Sequence, residues 1–304
     1  MIDILLACYN GEDYIREQLD SILNQSYQNW NLIIRDDGSS DKTLKVVNEY
    51  VERYPEKIQL MNSTFPSGSS KLNFFFLMQE AKQPYVMFCD QDDIWLSNKI
   101  EKTLDKMIET EKNNFNLPIL IHSDLEVVDE KGDSLASSLY QYQSIDVGYF
   151  NRIERLLVQN MVTGCTMMIN RPLMKLIKSM PEQAIMHDWW IALHAISFGE
   201  IVYIDEPMVR YRQHARNEVG AKDTKSFSYW IKQLSRIKIL QVQLHKTYEQ
   251  AQTFSEIAFE DSQSIAKAYA SLTNRSKLMK IIGLIRGGFL KNTWLRRLGQ
   301  FILC

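Results

Sequence analysis

The chain has 304 residues, 45% hydrophobic and 24% charged, with a formal net charge of −2. That balance excludes a globally disordered protein and suits one large domain, or a domain with an appendage. No apolar run reaches the ~20 residues of a membrane helix, and the acidic start Met1-Ile2-Asp3 lacks the basic region of a secretory signal.

In chain order, Ile2–Ala7 reads as a strand that ends in the turn of Tyr9-Asn10-Gly11. A helix follows from Glu12 to Leu23, carried by Tyr14, Ile15, Leu19, Ile22 and Leu23 at helical spacing. "WNLIIR" is a second strand, closed by the turn-rich Asp36-Asp37-Gly38-Ser39-Ser40-Asp41. Ser40-Asp41 caps a helix to about Tyr54. "IQLMN", a helix near Lys71–Ala81, the strand "YVMFC" and a helix from Ser97 to about Lys112 continue the alternation. Strands alternating with helices predict parallel pairing with right-handed crossovers, an α/β open sheet.

Ligands bind such sheets at the carboxyl ends of the strands. The polar clusters fall there: Tyr9-Asn10, Asp36-Asp37, and Asp90-Gln91-Asp92-Asp93. Three acids so close repel one another unless a cation joins them. From Leu117 the pattern is mixed: "LPILIHSDLEVVD", a helix near Arg152–Gln159, the strand "GCTMMIN", a helix from Arg171, "MHDWWIALHAISFG" and the strand "EIVYIDEP". After about Gly220 long helices take over. Phe227, Trp230, Ile231, Leu234, Ile237, Leu240, Leu244 and Tyr248 form an apolar stripe.

The run "LLACYNGEDYIREQLDSILNQSYQNWNLIIRDDGSSD", followed in order by "DQDDIW", "HDWW" and "YRQH", resembles the family 2 inverting glycosyltransferases. It is most similar to the bacterial rhamnosyltransferase branch of surface polysaccharide synthesis, over roughly Ile2 to Asn217. The resemblance implies the glycosyltransferase A-type fold, a Rossmann-like nucleotide-binding mixed sheet with helices on both faces. It divides the chain into a catalytic domain, 1–220, and a helical C-terminal region, 221–304. Within the first, about 1–115 would bind the nucleotide-sugar and about 116–220 the acceptor.

The resemblance also carries roles to matching positions. Asp90-Gln91-Asp92 matches the family's DxD motif, with Asp90 toward the ribose and Asp92 on a divalent metal, Mn or Mg. Asp93 would support the metal site or cap the next helix. Asp36 or Asp37 would meet the base or ribose, with Ala7 and Tyr9 lining the pyrimidine and Glu12 holding that loop. Asp188 matches the general base, which must deprotonate the acceptor hydroxyl as it attacks. Many relatives have Glu-Asp there, whereas this chain has His187-Asp188. Trp189 or Trp190 would line the acceptor site. His214 is a second metal-ligand candidate, and Arg210 and Arg212 would clamp the diphosphate. Asp124 and Asn73 are weaker candidates for sugar contacts. Each acidic cluster also has a plainer explanation as a turn or helix cap.

The expected donor is dTDP-L-rhamnose, with a UDP-hexose as alternative, and the acceptor a saccharide, free or lipid-linked. A non-catalytic assembly subunit is a third reading. A nucleotidyltransferase is disfavoured, because "ACYNGEDYIRE" lacks a Gly-rich basic phosphate loop.

The net charge conceals an asymmetry. Residues 262–304 carry eight Lys or Arg and no Asp or Glu, which leaves the rest of the chain at −10. The acidic body argues against nucleic-acid binding. The basic tail, with apolar residues interleaved, suits either an amphipathic segment on an anionic membrane or a packed helix pair in a homo-oligomer contact. Cys8, Cys89, Cys165 and Cys304 form no metal-binding spacing and suggest reduced thiols. The expected location is cytoplasmic, at the inner face of the plasma membrane if the tail docks there.

Overall fold

The computed structural model describes all residues except 63–64, 113–115, 150 and 216–236. β1 (Ile2–Cys8), β2 (Trp30–Asp36), β3 (Ile58–Leu60) and β4 (Tyr85–Asp90) run parallel in the order β3-β2-β1-β4. α1 (Ile15–Leu23), α2 (Thr43–Arg53) and α3 (Ser70–Glu80) lie on their crossovers. Apart from Asp3, whose carboxylate accepts from the Lys82 and Gln83 N–H groups, β1 is apolar because both its faces are buried. Leu5 packs with Phe74 and Leu77 of α3, while Ile4 and Leu6 join Ile15, Leu19 and Val47 of α1 and α2.

Beyond β4 the sheet becomes mixed. β5 (Ile94–Trp95) and α4 (Lys99–Glu111) lead to the long β6 (Ile119–Val128), whose end pairs with β7 (Ser134–Ala136). The short α5 (Leu139–Tyr142) and α6 (Ile153–Leu156) precede β8 (Met168–Asn170), which lies antiparallel between β4 and β6. α7 (Arg171–Leu176) and α8 (His187–Phe198) then return the chain to β9 (Glu200–Arg212), parallel to β6 and antiparallel to β5.

Three local expectations change. The helix near Arg152–Gln159 shrinks to α6, and Gly164–Thr166 is a 3-10 turn before β8 rather than strand. β9 runs on past Pro207 to Arg212, because bulges opposite Ser123–Glu126 let it follow β6.

Four helices complete the described chain: α9 (Ile237–Ser255), α10 (Glu260–Ala270), α11 (Lys277–Arg286) and α12 (Trp294–Leu303). Leu244 and Tyr248 of α9 are buried against α3 and α8 residues in one cluster. Phe227, Trp230, Ile231 and Leu234 of the expected stripe lie outside the described residues. Among the described residues, no helix is long and apolar enough to cross a membrane.

Lys71 on α3 ties this framework across its middle. Its ammonium donates to the carbonyls of Ala184 (2.6 Å), Glu182 (2.7 Å) and Pro181 (3.4 Å), just before α8.

Candidate active site

The parallel register sets Ala7 beside Asp90 and Cys8 beside Asp36, so the polar ends of β1, β2 and β4 meet at one edge. A cleft of about 1000 Å³ opens there. Ala7, Tyr9, Asp37, Asn73, Asp90, Gln91, Asp92, Asp188 and Trp189 all line it. The acids separated by almost a hundred residues in sequence therefore share one cavity.

β4 ends at Asp90, and Gln91-Asp92 form a turn. Both acids still face the cleft. Gln91 has a clear local task. Its amide accepts from the Tyr9 N–H (2.8 Å) and donates to the Tyr9 carbonyl (2.9 Å), zipping the β1 and β4 loops together.

The β2 loop is similarly braced. Asp37 accepts from Arg35 (2.8 Å), from the Gly68 N–H (3.0 Å) and from the Ser67 N–H. Burial works to raise Asp37, but these bonds outweigh it and hold its carboxyl below the usual value. Asn73 accepts a second bond from Arg35 (2.8 Å). Asp36 turns inward to the N–H groups of Gly38 and Ser39, so Asp37 rather than Asp36 lines the cleft. Glu12 accepts from the Lys42 N–H (3.0 Å) and pins this loop without reaching the cleft.

His214 Nε2 lies 2.8 Å from Asp92 Oδ2, and its ring stacks on Tyr14 with centroids 4.8 Å apart. A carboxylate and an imidazole brought together beside the cleft form a donor set that fits Mn²⁺ or Mg²⁺ completed by phosphate oxygens. Asp93 sits behind them, fully buried, and accepts from the Arg212 N–H (3.2 Å). It does not cap α4, whose N-cap is Asn98. Asp93 also joins Asp90 and Cys165 in a group whose ligand atoms lie within 4.8 Å of one another.

Asp188 lies in the first turn of α8. Asn160 Nδ2 donates to its Oδ1 (3.1 Å) and the Gly164 N–H to its Oδ2 (3.2 Å), which aims the carboxylate at the cleft. His187 is buried beneath, tilted 32° against Phe74 with ring centroids 4.1 Å apart, and burial drives its pKa down to about 3. It is a neutral ring in the floor rather than a second charge. Asn160 had no sequence signal. Gly164 had one: a glycine inside an apolar run marks close backbone approach.

One open choice is resolved and three expectations are corrected. Trp190 is 1% exposed in the core, its indole bonded to the Ser179 carbonyl, so Trp189 alone of the pair faces the cleft. Arg212 is buried, with its guanidinium on the Asp92 and Glu130 carbonyls and on Glu17, so it braces the loop instead of clamping a ligand. Arg210 pairs with Glu126 on the exposed β5–β9 side. Asp124 is buried and accepts from Ser138 and the Leu139 N–H, holding the start of α5. Its influence on the cleft passes through Leu139, which lines it. Lys246 and Lys291, unforeseen from sequence, also line the cleft and add positive charge.

The profile of glycosyl transferase family 2 matches residues 3–177. The chain belongs to glycosyl transferase family 2. This family 2 member is 29% identical over 222 residues to dTDP-rhamnosyl transferase RfbG of Shigella flexneri, covering 71% of this chain and 74% of that one. It is 29% identical over 175 residues to the E. coli UDP-Glc:alpha-D-GlcNAc-diphosphoundecaprenol beta-1,3-glucosyltransferase WfgD, covering 57% and 62%. Among solved structures it is similar to S. aureus TarS 1–349 in complex with UDP. There the TM-score is 0.59 and the identity 17%, with 99% of this chain and 86% of that one covered. A mannosyltransferase from Pyrobaculum calidifontis, in complex with GDP-Man and Mn²⁺, gives a TM-score of 0.56 at 15% identity, over 94% and 72%. The family 2 chain thus has the glycosyltransferase A-type fold, followed by a helical C-terminal region.

Proposed function

We propose that this protein is a metal-dependent inverting glycosyltransferase that moves L-rhamnose from dTDP-L-rhamnose onto a lipid-linked saccharide in surface polysaccharide synthesis. The observation that carries the reading is the meeting of Asp90, Asp92 and Asp188 in one cleft at the carboxyl ends of the parallel strands. The likeness to RfbG supports the donor, and the likeness to the diphosphoundecaprenol glucosyltransferase WfgD supports a diphosphate-lipid acceptor.

In this reading residues 1–220 form the catalytic domain, 221–304 the helical region, and the enzyme works at the cytoplasmic face of the membrane. The β1 and β2 loops receive the base and ribose between Ala7, Tyr9 and Asp37. Asp92 and His214 would hold a divalent cation, which supplies charge stabilisation for the departing diphosphate. Asp188 accepts the proton of the acceptor hydroxyl as that oxygen attacks the anomeric carbon and the bond to the diphosphate breaks. Attack opposite the leaving group inverts a β-linked donor to an α-L-rhamnoside. Trp189 offers the acceptor sugar an apolar face.

The test is a thermal-shift and hydrolysis screen of nucleotide sugars with and without Mn²⁺ or Mg²⁺. A ligand of the native state raises apparent stability, so dTDP-L-rhamnose with metal should give the largest shift. A larger response to UDP-glucose would replace the donor, and no response to any nucleotide sugar would overturn the reading.

A further inference from the structure

The expected amphipathic tail is split into two helices at Gly288, whose φ of +70° few other residues adopt. On α12, Trp294 (70% exposed), Leu298 (50%) and Ile302 (49%) are spaced four residues apart and form one stripe. On α11, Leu278 (68%) and Ile285 (54%) are likewise exposed. The Lys277 ammonium donates to the Ile302 carbonyl (2.9 Å), joining the start of α11 to the end of α12. Large apolar side chains normally avoid such exposure in series.

We propose that this face docks on an anionic lipid surface. Charge complementarity selects that occupant: residues 262–304 carry eight cations and no acid, and Arg275, Lys277 and Arg286 are exposed. A second copy of the chain would oppose one basic face with another. Residues 216–236 also carry more basic than acidic residues, five against two, and offer no complement. An indole at the edge of an apolar stripe suits the bilayer interface, with cations above it at the headgroups. α12 begins three residues after Lys291, which lines the cleft, so docking would set that side of the cleft beside the membrane. The proposal stands apart from the donor assignment, because nucleotide-sugar hydrolysis needs no membrane.

The experiment is flotation of the full-length protein with phosphatidylcholine vesicles and with vesicles containing about one third phosphatidylglycerol. The anionic vesicles should capture it, the neutral ones should not, and high salt should release it. Arg275→Gln and Arg286→Gln leave the apolar face untouched and should each weaken partitioning roughly fivefold. Trp294→Ser with Leu298→Ser should weaken it at least about tenfold, with melting temperature and donor hydrolysis unchanged. Failure to bind anionic vesicles, equal binding to both vesicles, or undiminished binding by all variants would overturn the proposal. So would a dimer in solution that the Trp294 and Leu298 changes dissociate.

Discussion

Gly164 and Asp188 meet through a backbone N–H bond of 3.2 Å, and the approach leaves no room for a side chain. A Cβ on Gly164 would stand 2.8 Å from His187 Nε2 and 3.7 Å from the Asp188 Cβ. The Gly164→Ala variant must therefore push the first turn of α8. Displacement of a base by about 1 Å costs on the order of 10²-fold in rate. Transfer should fall by about that factor while the KM for donor, set by the other end of the cleft, stays within about twofold. Steady-state kinetics on a variant with wild-type kcat would remove the positioning role of Gly164.

Asp188→Asn keeps the size of the side chain and removes its basicity. Transfer should drop about 10²- to 10⁴-fold, with donor affinity by calorimetry unchanged. Asn160→Ala, which removes one of the bonds on Oδ1 and leaves that from the Trp189 N–H, should cost less. Full turnover by Asp188→Asn would mean that another group takes the acceptor proton.

The Asp92–His214 contact makes a prediction about metal. Chelation should abolish transfer and added Mn²⁺ restore it. His214→Ala should raise the Mn²⁺ concentration for half-maximal rate by at least about tenfold, and Asp92→Asn should do so more severely. An identical metal titration for wild type and His214→Ala would detach this histidine from the site.

Three histidines tie stability to pH. Burial lowers His122 and His187 to about 3 and His194 to about 4, where the unfolded chain would bind protons near pH 6.5. Between those values the unfolded state holds more protons, so stability falls as pH drops from about 6.5 toward 4. Each histidine contributes at most about 1.4 kcal/mol per pH unit. His187→Asn should flatten this acid limb relative to wild type in urea melts at pH 7, 6 and 5. Parallel limbs in the two proteins would show that His187 titrates alike in both states.

The strand ends were legible because burial on both faces makes β1, β2 and β4 largely apolar runs, with acids standing out at their ends. The DxD acids and Asp188 were singled out by their match to family motifs, since an acid at a strand end or helix start is otherwise indistinguishable from a cap. Trp189 and Trp190 could not be told apart because adjacent residues on a helix face different ways, and Arg210 and Arg212 were misplaced because only folding supplies the partners, Glu126 and Glu17, that take up their guanidinium groups. Asp124 carried a motif-like setting but serves a helix start, a use of aspartate that sequence does not distinguish from ligand binding. Asn160, Lys246 and Lys291 were invisible, since single polar residues in irregular or amphipathic stretches acquire a role only from the neighbours that folding supplies.

Lys71 bears on which parts of the molecule can move apart. Swinging α3 away from the segment before α8 in clamshell fashion would break its bonds to Ala184, Glu182 and Pro181 together, inside a partly dehydrated seam. Separating α3 from that segment therefore carries the loss of three charge-assisted bonds at once, which holds this side of the molecule in place.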